Sequence, residues 1–155
     1  AFTGKTESVA LAGWSFGCDS LIDDVLGKKW ERLLKVREDV QRALEVAKRE
    51  EIVTNPLEAS IGLFVSQELA SFLSSFEIPL NVPLNVSYVE VTVLDGSPPD
   101  GAIASKEFPE LFVTAGLSVG GKCDRCWQRN VNVGESLAHP TLCGRCLAVV
   151  SGLEV

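Results

Sequence analysis

The sequence predicts an α+β fold: one long helix, a small mixed α/β layer and a cysteine-rich ribbon near the carboxyl end. Three observations carry this reading. Apolar residues recur at three- and four-residue steps across 28–51, apolar and polar residues alternate across 61–65 and 86–94, and four of the five cysteines fall in two close pairs. The regions divide the chain at 1–56, 57–120 and 121–155. With 155 residues, 46% hydrophobic and 23% charged, the chain can bury a real core, and its composition is neither disordered nor collagen-like.

The first 27 residues mix apolar anchors such as Trp14, Phe16 and Leu21 with breaks at Gly13, Gly17 and Gly27. They read as a loop carrying a short helix near 19–26, capped by Asp19 or Ser20. The long helix follows, about six turns with Trp30, Leu33, Leu34, Val40, Ala43, Leu44 and Ala47 as its apolar stripe. Glu31 with Lys35, Glu38 with Arg42 and Glu45 with Arg49 are acid-to-base pairs at i, i+4 and mark a solvated face. Asn55-Pro56 ends the helix.

Ile61, Leu63 and Val65 then alternate as in a strand, and Leu69, Phe72, Leu73 and Phe76 return to helical spacing before Pro79 and Pro83. A strand over 86–94 puts Val89, Val91 and Val93 on one face and Tyr88, Glu90 and Thr92 on the other. Gly96 to Gly101 is turn-forming, and a further strand is expected near 111–119.

Charge is distributed unevenly. The net value is -7, which excludes a general polyanion-coating protein and confines any nucleic-acid contact to a local surface. Residues 53–120 hold 1 base and 8 acids, whereas residues 28–52 hold 8 bases and 6 acids. Lys28, Arg32, Lys35, Arg42 and Arg49 offer a helix stripe that could meet phosphates, or they could simply solvate the helix. No stretch approaches 18 consecutive apolar residues and no basic start leads into an apolar run, so neither a membrane span nor a secretory signal is expected.

Cys123-x2-Cys126, sixteen residues, then Cys143-x2-Cys146 is the spacing of two knuckles. Two cysteines three apart turn both sulfurs to one side of a tight turn, and two such turns complete a tetrahedron around zinc. Four thiolates leave no open position, so one structural zinc ion is expected, contributing folding energy on the order of 10 kcal/mol. Two disulfides are the competing reading. His139 is the one histidine and reads as a loop residue before Pro140, and Cys18 reads as a buried thiol. Trp127 offers either packing against the site or a stacking surface for a base. Lys122, Arg125, Arg129 and Arg145 surround the knuckles, and the two arginines inside the cysteine pairs are expected to point into solvent. One His, no phosphate loop and no nucleophile elbow argue against catalysis by this segment alone.

The run Trp30-Glu-Arg-Leu-Leu-Lys-Val-Arg37, followed by Ala43-Leu44-Glu45 and Leu57-Glu58-Ala59, resembles the anticodon-binding helical region of isoleucyl-tRNA synthetases. Lys122-Cys-Asp-Arg-Cys-Trp127 and Leu142-Cys-Gly-Arg-Cys146 resemble the zinc element that ends the bacterial and organellar forms, and Glu7-Ser8-Val9 with Trp14 is similar to the stretch before the helix. The resemblance implies that 1–56 is the end of a helical anticodon-binding bundle, 57–120 a connecting α/β unit and 121–155 a zinc ribbon. It implies that Cys123, Cys126, Cys143 and Cys146 hold zinc. Lys122, Arg125, Trp127, Arg129, Arg145, Lys28, Arg32 and Lys35 become candidates for contact with the anticodon arm of isoleucine tRNA.

A chain with one His and no Met holds neither the His-x-Gly-His nor the Lys-Met-Ser-Lys-Ser adenylate-forming signature. The resemblance therefore implies a carboxyl-terminal piece of a longer, ATP-dependent ligase, cytoplasmic or organellar, whose catalytic and editing domains lie elsewhere. Val53-Thr54 departs from the Ile-Gly usual before the Leu-Glu-Ala motif. Neither a membrane nor DNA is expected as a partner. Two other readings are a zinc ribbon used for protein contact and a fragment of a DNA-repair glycosylase. The latter needs an amino-terminal Pro-Glu nucleophile, whereas this chain opens Ala1-Phe2.

Overall fold

A computed structural model describes residues 21–152. The chain divides into two compact units at Glu31 and Arg32. The first contributes only the opening of the long helix to the described residues, and the architecture below is that of the second.

Helix α1 runs Asp24–Arg49. Its first turn is closed by Asp23, whose Oδ1 accepts from the Leu26 amide at 2.9 Å while its carbonyl accepts from Gly27. The expected short helix near 19–26 is thus, within the described residues, the start of α1. Gly27 lies inside the helix, where the lost propensity of one exposed glycine is outweighed by the turns that follow. Cys18, Asp19, Ser20 and the stretch from Glu7 to Trp14 lie outside the described residues.

The helix buries Leu33, Val36, Val40, Ala43, Leu44 and Ala47, the stripe that the three- and four-residue spacing requires. Leu34, expected in that stripe, is exposed. The helix ends in a Schellman-type turn, with the Ile52 amide on the Ala47 carbonyl at 2.9 Å and the Glu51 amide on that of Lys48 at 3.1 Å. Glu51 takes the left-handed position, φ 58°, that glycine usually fills.

A 3-10 turn at Pro56–Glu58, capped by the Asn55 side chain, leads into β1, Ala59–Val65. Helices α2, Gln67–Ser74, and α3, Asn81–Leu84, precede β2, Tyr88–Val93. Then come β3, Ile103–Ala104, and β4, Phe112–Leu117. These strands form one sheet in the order β2-β1-β4-β3, with β1 and β2 parallel and the other pairings antiparallel.

Register sets the two faces. Ile61 lies beside Val89 and Ala115, and Leu63 beside Val91 and Val113. Ile61, Leu63, Val65 and Val113 are fully buried, and Ala43 and Ala47 of α1 line one cavity with Val113 and Ala115. The opposite face carries Ser60, Gly62 and Phe64 with Tyr88, Glu90 and Thr92, so the expected split of the 86–94 strand holds. No described helix is long and apolar enough to cross a membrane.

The last part is a ribbon: β5, Gly121–Lys122, pairs antiparallel with β6, Arg129–Asn130, and α4, Gly144–Ser151, follows. Gly120 enters it at φ 90°, with the space a Cβ would need filled by the Asn130 carbonyl and the Val131 amide, so both conformation and clearance demand glycine there.

Candidate metal centre and its surroundings

Each knuckle is built by short backbone bonds. The Trp127 amide donates to the Cys123 carbonyl at 2.8 Å, turning the first pair, and the Cys123 amide reaches the Gln128 carbonyl at 2.9 Å. The second pair opens α4 with Cys143 at its N-cap, and the side chain of Asn132 accepts from the Gly144 amide at 3.0 Å. Any side chain at position 144 would meet Asn132 at 2.8 Å.

Cys123, Cys126, Cys143 and Cys146 bring their sulfurs within 4.8 Å of one another, with Val133 and Leu142 packed around them. The Cys126 and Cys143 sulfurs are 3.8 Å apart. A tetrahedron with zinc–sulfur bonds of about 2.3 Å has an edge of about 3.8 Å, whereas a disulfide spans about 2.05 Å. All four are free thiols, so the two-disulfide alternative does not describe this cluster. The donor set fits one structural zinc ion. His139 is not a member of the cluster; its amide donates to Ser136.

The sulfurs differ electrostatically. Burial pushes the Cys143 thiol up to about 12 and raises Cys126 as well. Burial also opposes ionisation of Cys123, but the amides of Cys126, Cys143 and Arg125 outweigh it and bring this thiol down to about 6. Four sulfurs this close repel one another as thiolates, and a bound divalent cation would supply the balancing charge.

The arginines inside the pairs were expected to point into solvent; both are exposed, and Arg125 also reaches back to the cluster. Arg125 Nη1 lies 3.7 Å from the Cys146 sulfur. Burial alone would lower Arg145, but hydrogen bonding to Cys126, with the charges of Cys126 and Cys146 adding to it, outweighs burial and raises its pKa. Both residues remain exposed, with the Arg125 guanidinium in contact with a cluster sulfur. Trp127 is held at φ 63°, a conformation costly for a bulky side chain, and its residue is 56% exposed.

The other candidate contact residues are largely engaged within the chain. Arg32 donates to Glu68 at 2.8 Å and lies over the Phe72 ring, and Lys35 donates to Glu107. Arg42 pairs with Asp39 in place of Glu38, because Asp39 is buried and also accepts from Ser105. Lys122 and Arg129 both bind the Glu58 carboxylate, at 2.7 and 3.4 Å. Lys28 is exposed on α1.

Glu58 is the residue that sequence reasoning missed. It sits in the Leu-Glu-Ala motif, but a motif does not name partners 64 and 71 residues away. With it, the Gln128 side chain on the Val86 carbonyl and the Arg129 amide on Ser87 fasten the ribbon to the sheet.

Residues 120–149 match the family described as a zinc finger found in FPG and IleRS. Over 150 residues, 96% of this chain, the sequence is 35% identical to an isoleucine–tRNA ligase of Desulfotalea psychrophila. It is 38% identical to that of Moorella thermoacetica over 143 residues, 92% of the chain, and 35% identical to that of Shewanella amazonensis over 152 residues, 96% of the chain. The chain spans 15–16% of the length of these relatives.

Proposed function

We propose that this chain, a carboxyl-terminal segment of the isoleucine–tRNA ligase type, holds the anticodon arm of isoleucine tRNA for catalytic and editing domains carried elsewhere in a longer chain. The observation that carries the reading is the Cys123 knuckle. A four-sulfur cluster, buried except at the half-buried Cys126, fixes a turn whose next residue, Trp127, is strained and half-exposed, with Arg125 one position before the knuckle's second cysteine. Single-stranded RNA loops are read by stacking and base-edge hydrogen bonds, which suits an exposed indole among guanidiniums.

Cys123, Cys126, Cys143 and Cys146 would hold the zinc ion, which supplies rigidity and no catalytic position. Arg125 and Arg145 offset the sulfur charge and offer their outer N–H groups to phosphate or base. Lys28 adds charge from the helix, whereas Arg32, Lys35, Lys122 and Arg129 serve packing first, through their carboxylate partners. In this division 1–56 ends the helical anticodon-binding region, 57–120 connects and 121–155 is the ribbon. ATP acts only in the catalytic part. The work belongs to the cytoplasm or an organellar matrix, where tRNA is charged.

The test uses the complete protein. Trp127→Ala should raise the KM for tRNA about tenfold or more while isoleucyl-adenylate formation is unchanged, since one stacked base contributes about 1–3 kcal/mol. An unaltered KM contradicts the proposal.

A further inference from the structure

Where the ribbon meets the sheet there is a concavity of about 310 Å³ that the sulfur cluster does not explain, walled by Tyr88, Val119, Arg129, Asn130 and Val131 among others. Tyr88 heads the edge strand β2 and lies opposite Ser60, which in turn lies opposite Gly116, so its lateral neighbours on that face are small. Its residue stays 53% exposed, and Val119 and Val131 are 75% and 72% exposed. Arg129 is a fixed wall: Nε donates to the Ser118 carbonyl at 2.8 Å, Nη1 to Glu58 at 3.4 Å and the amide to Ser87 at 2.7 Å. Asn130 Oδ1 accepts from the Asn132 amide at 3.1 Å, which leaves its side-chain N–H pair as donors.

We propose that this concavity is a second nucleobase subsite, taking one splayed base of the same RNA that Trp127 meets. A phenol ring, two valines and two anchored donor groups supply what an unstacked base offers in return: a π-face, apolar edges and acceptor atoms. An apolar side chain from a protein partner would satisfy the valines but leave the Asn130 amide without an acceptor, at a desolvation cost. The subsite rests on the tRNA reading above and adds to it a base-contact role for Tyr88.

The test uses the complete protein and an anticodon stem-loop of isoleucine tRNA carrying 2-aminopurine at single loop positions. At one position, quenching on binding should vanish with Tyr88→Ala, persist with Tyr88→Phe and persist with Trp127→Ala. Affinity should fall about tenfold with Tyr88→Ala and stay within twofold with Tyr88→Phe. Asn130→Asp, which replaces the donors by a charge, should weaken the same position and provides the readout if Tyr88→Ala does not fold. If Tyr88→Ala and Asn130→Asp leave RNA binding intact while Trp127→Ala weakens it, the subsite is wrong and the tRNA reading stands. If none of the three changes RNA binding, the tRNA reading itself fails. Unchanged RNA binding together with a loss of thermal stability in the complete protein would reassign the concavity to a protein contact and overturn the proposal.

Discussion

The Glu58 carboxylate, at the head of β1, accepts a 2.7 Å hydrogen bond from Lys122 on β5 and shares its other oxygen with Arg129 on β6, so one acid clasps both strands of the ribbon hairpin. The clasp stands at the joint between the sheet and the sulfur cluster, and several consequences can be measured.

Glu58→Gln should destabilise the fold by on the order of 1–2 kcal/mol near pH 7, the range for a charge-assisted hydrogen bond reduced for a half-exposed Lys122. The Lys122 hydrogen bond lowers the Glu58 pKa against the opposing effect of burial, with Arg129 adding to the lowering. A carboxylate depressed on folding contributes stability above its unfolded pKa and loses it as pH falls through the folded one. The difference in unfolding free energy between wild type and variant should therefore be constant at neutral pH and shrink below about pH 4.5. A difference that grew on acidification would remove Glu58 from this role.

Trp127→Gly separates stability from recognition. Glycine tolerates φ 63° without a steric penalty, so thermal unfolding of this variant should be unchanged or improved by up to about 1 kcal/mol. Affinity for the anticodon stem-loop should nevertheless fall about tenfold. Equal losses of stability and affinity would show the indole to be a packing group.

Glu51→Gly makes a similar point away from the site. At the left-handed end of α1, glycine should raise stability by roughly 0.5–1 kcal/mol in urea unfolding, with no effect on RNA binding. A destabilised variant would mean that the Glu51 side chain holds something the turn geometry does not reveal.

Asp39→Ala should be the most damaging of these changes to the helix. Asp39 is 3% exposed on the inner face of α1 and accepts from both Arg42 and Ser105, whose hydroxyl also receives the Phe108 amide at 2.9 Å. Removing it strands a half-buried guanidinium and the loop hydroxyl, a loss of about 3 kcal/mol by chemical denaturation.

What could be read from the sequence followed local rules. The α1 stripe and the strand alternations at 61–65 and 88–93 depend on period alone, and the four cysteines on spacing alone. What could not be read depends on distant partners or on balance between neighbours. Gly27 looked like a break because its propensity was weighed without the turns that override it. Spacing pairs Lys35 with Glu31 and leaves Arg32 on a solvated face, but Glu107 reaches Lys35 from a loop 72 residues away and Glu68 reaches Arg32 from the first turn of α2, 36 residues away. Arg125 is exposed as the knuckle spacing suggests, but its guanidinium also meets the sulfur of Cys146, 21 residues away on the other knuckle.

The most direct measurement is the affinity of the reduced, complete protein for the isoleucine anticodon stem-loop before zinc is stripped by a chelator, after stripping, and after one equivalent is restored. The account predicts a loss of at least tenfold on stripping and recovery on restoration, because the turn that displays Trp127 is held by Cys123 and Cys126. Undiminished affinity in metal-free protein would contradict it.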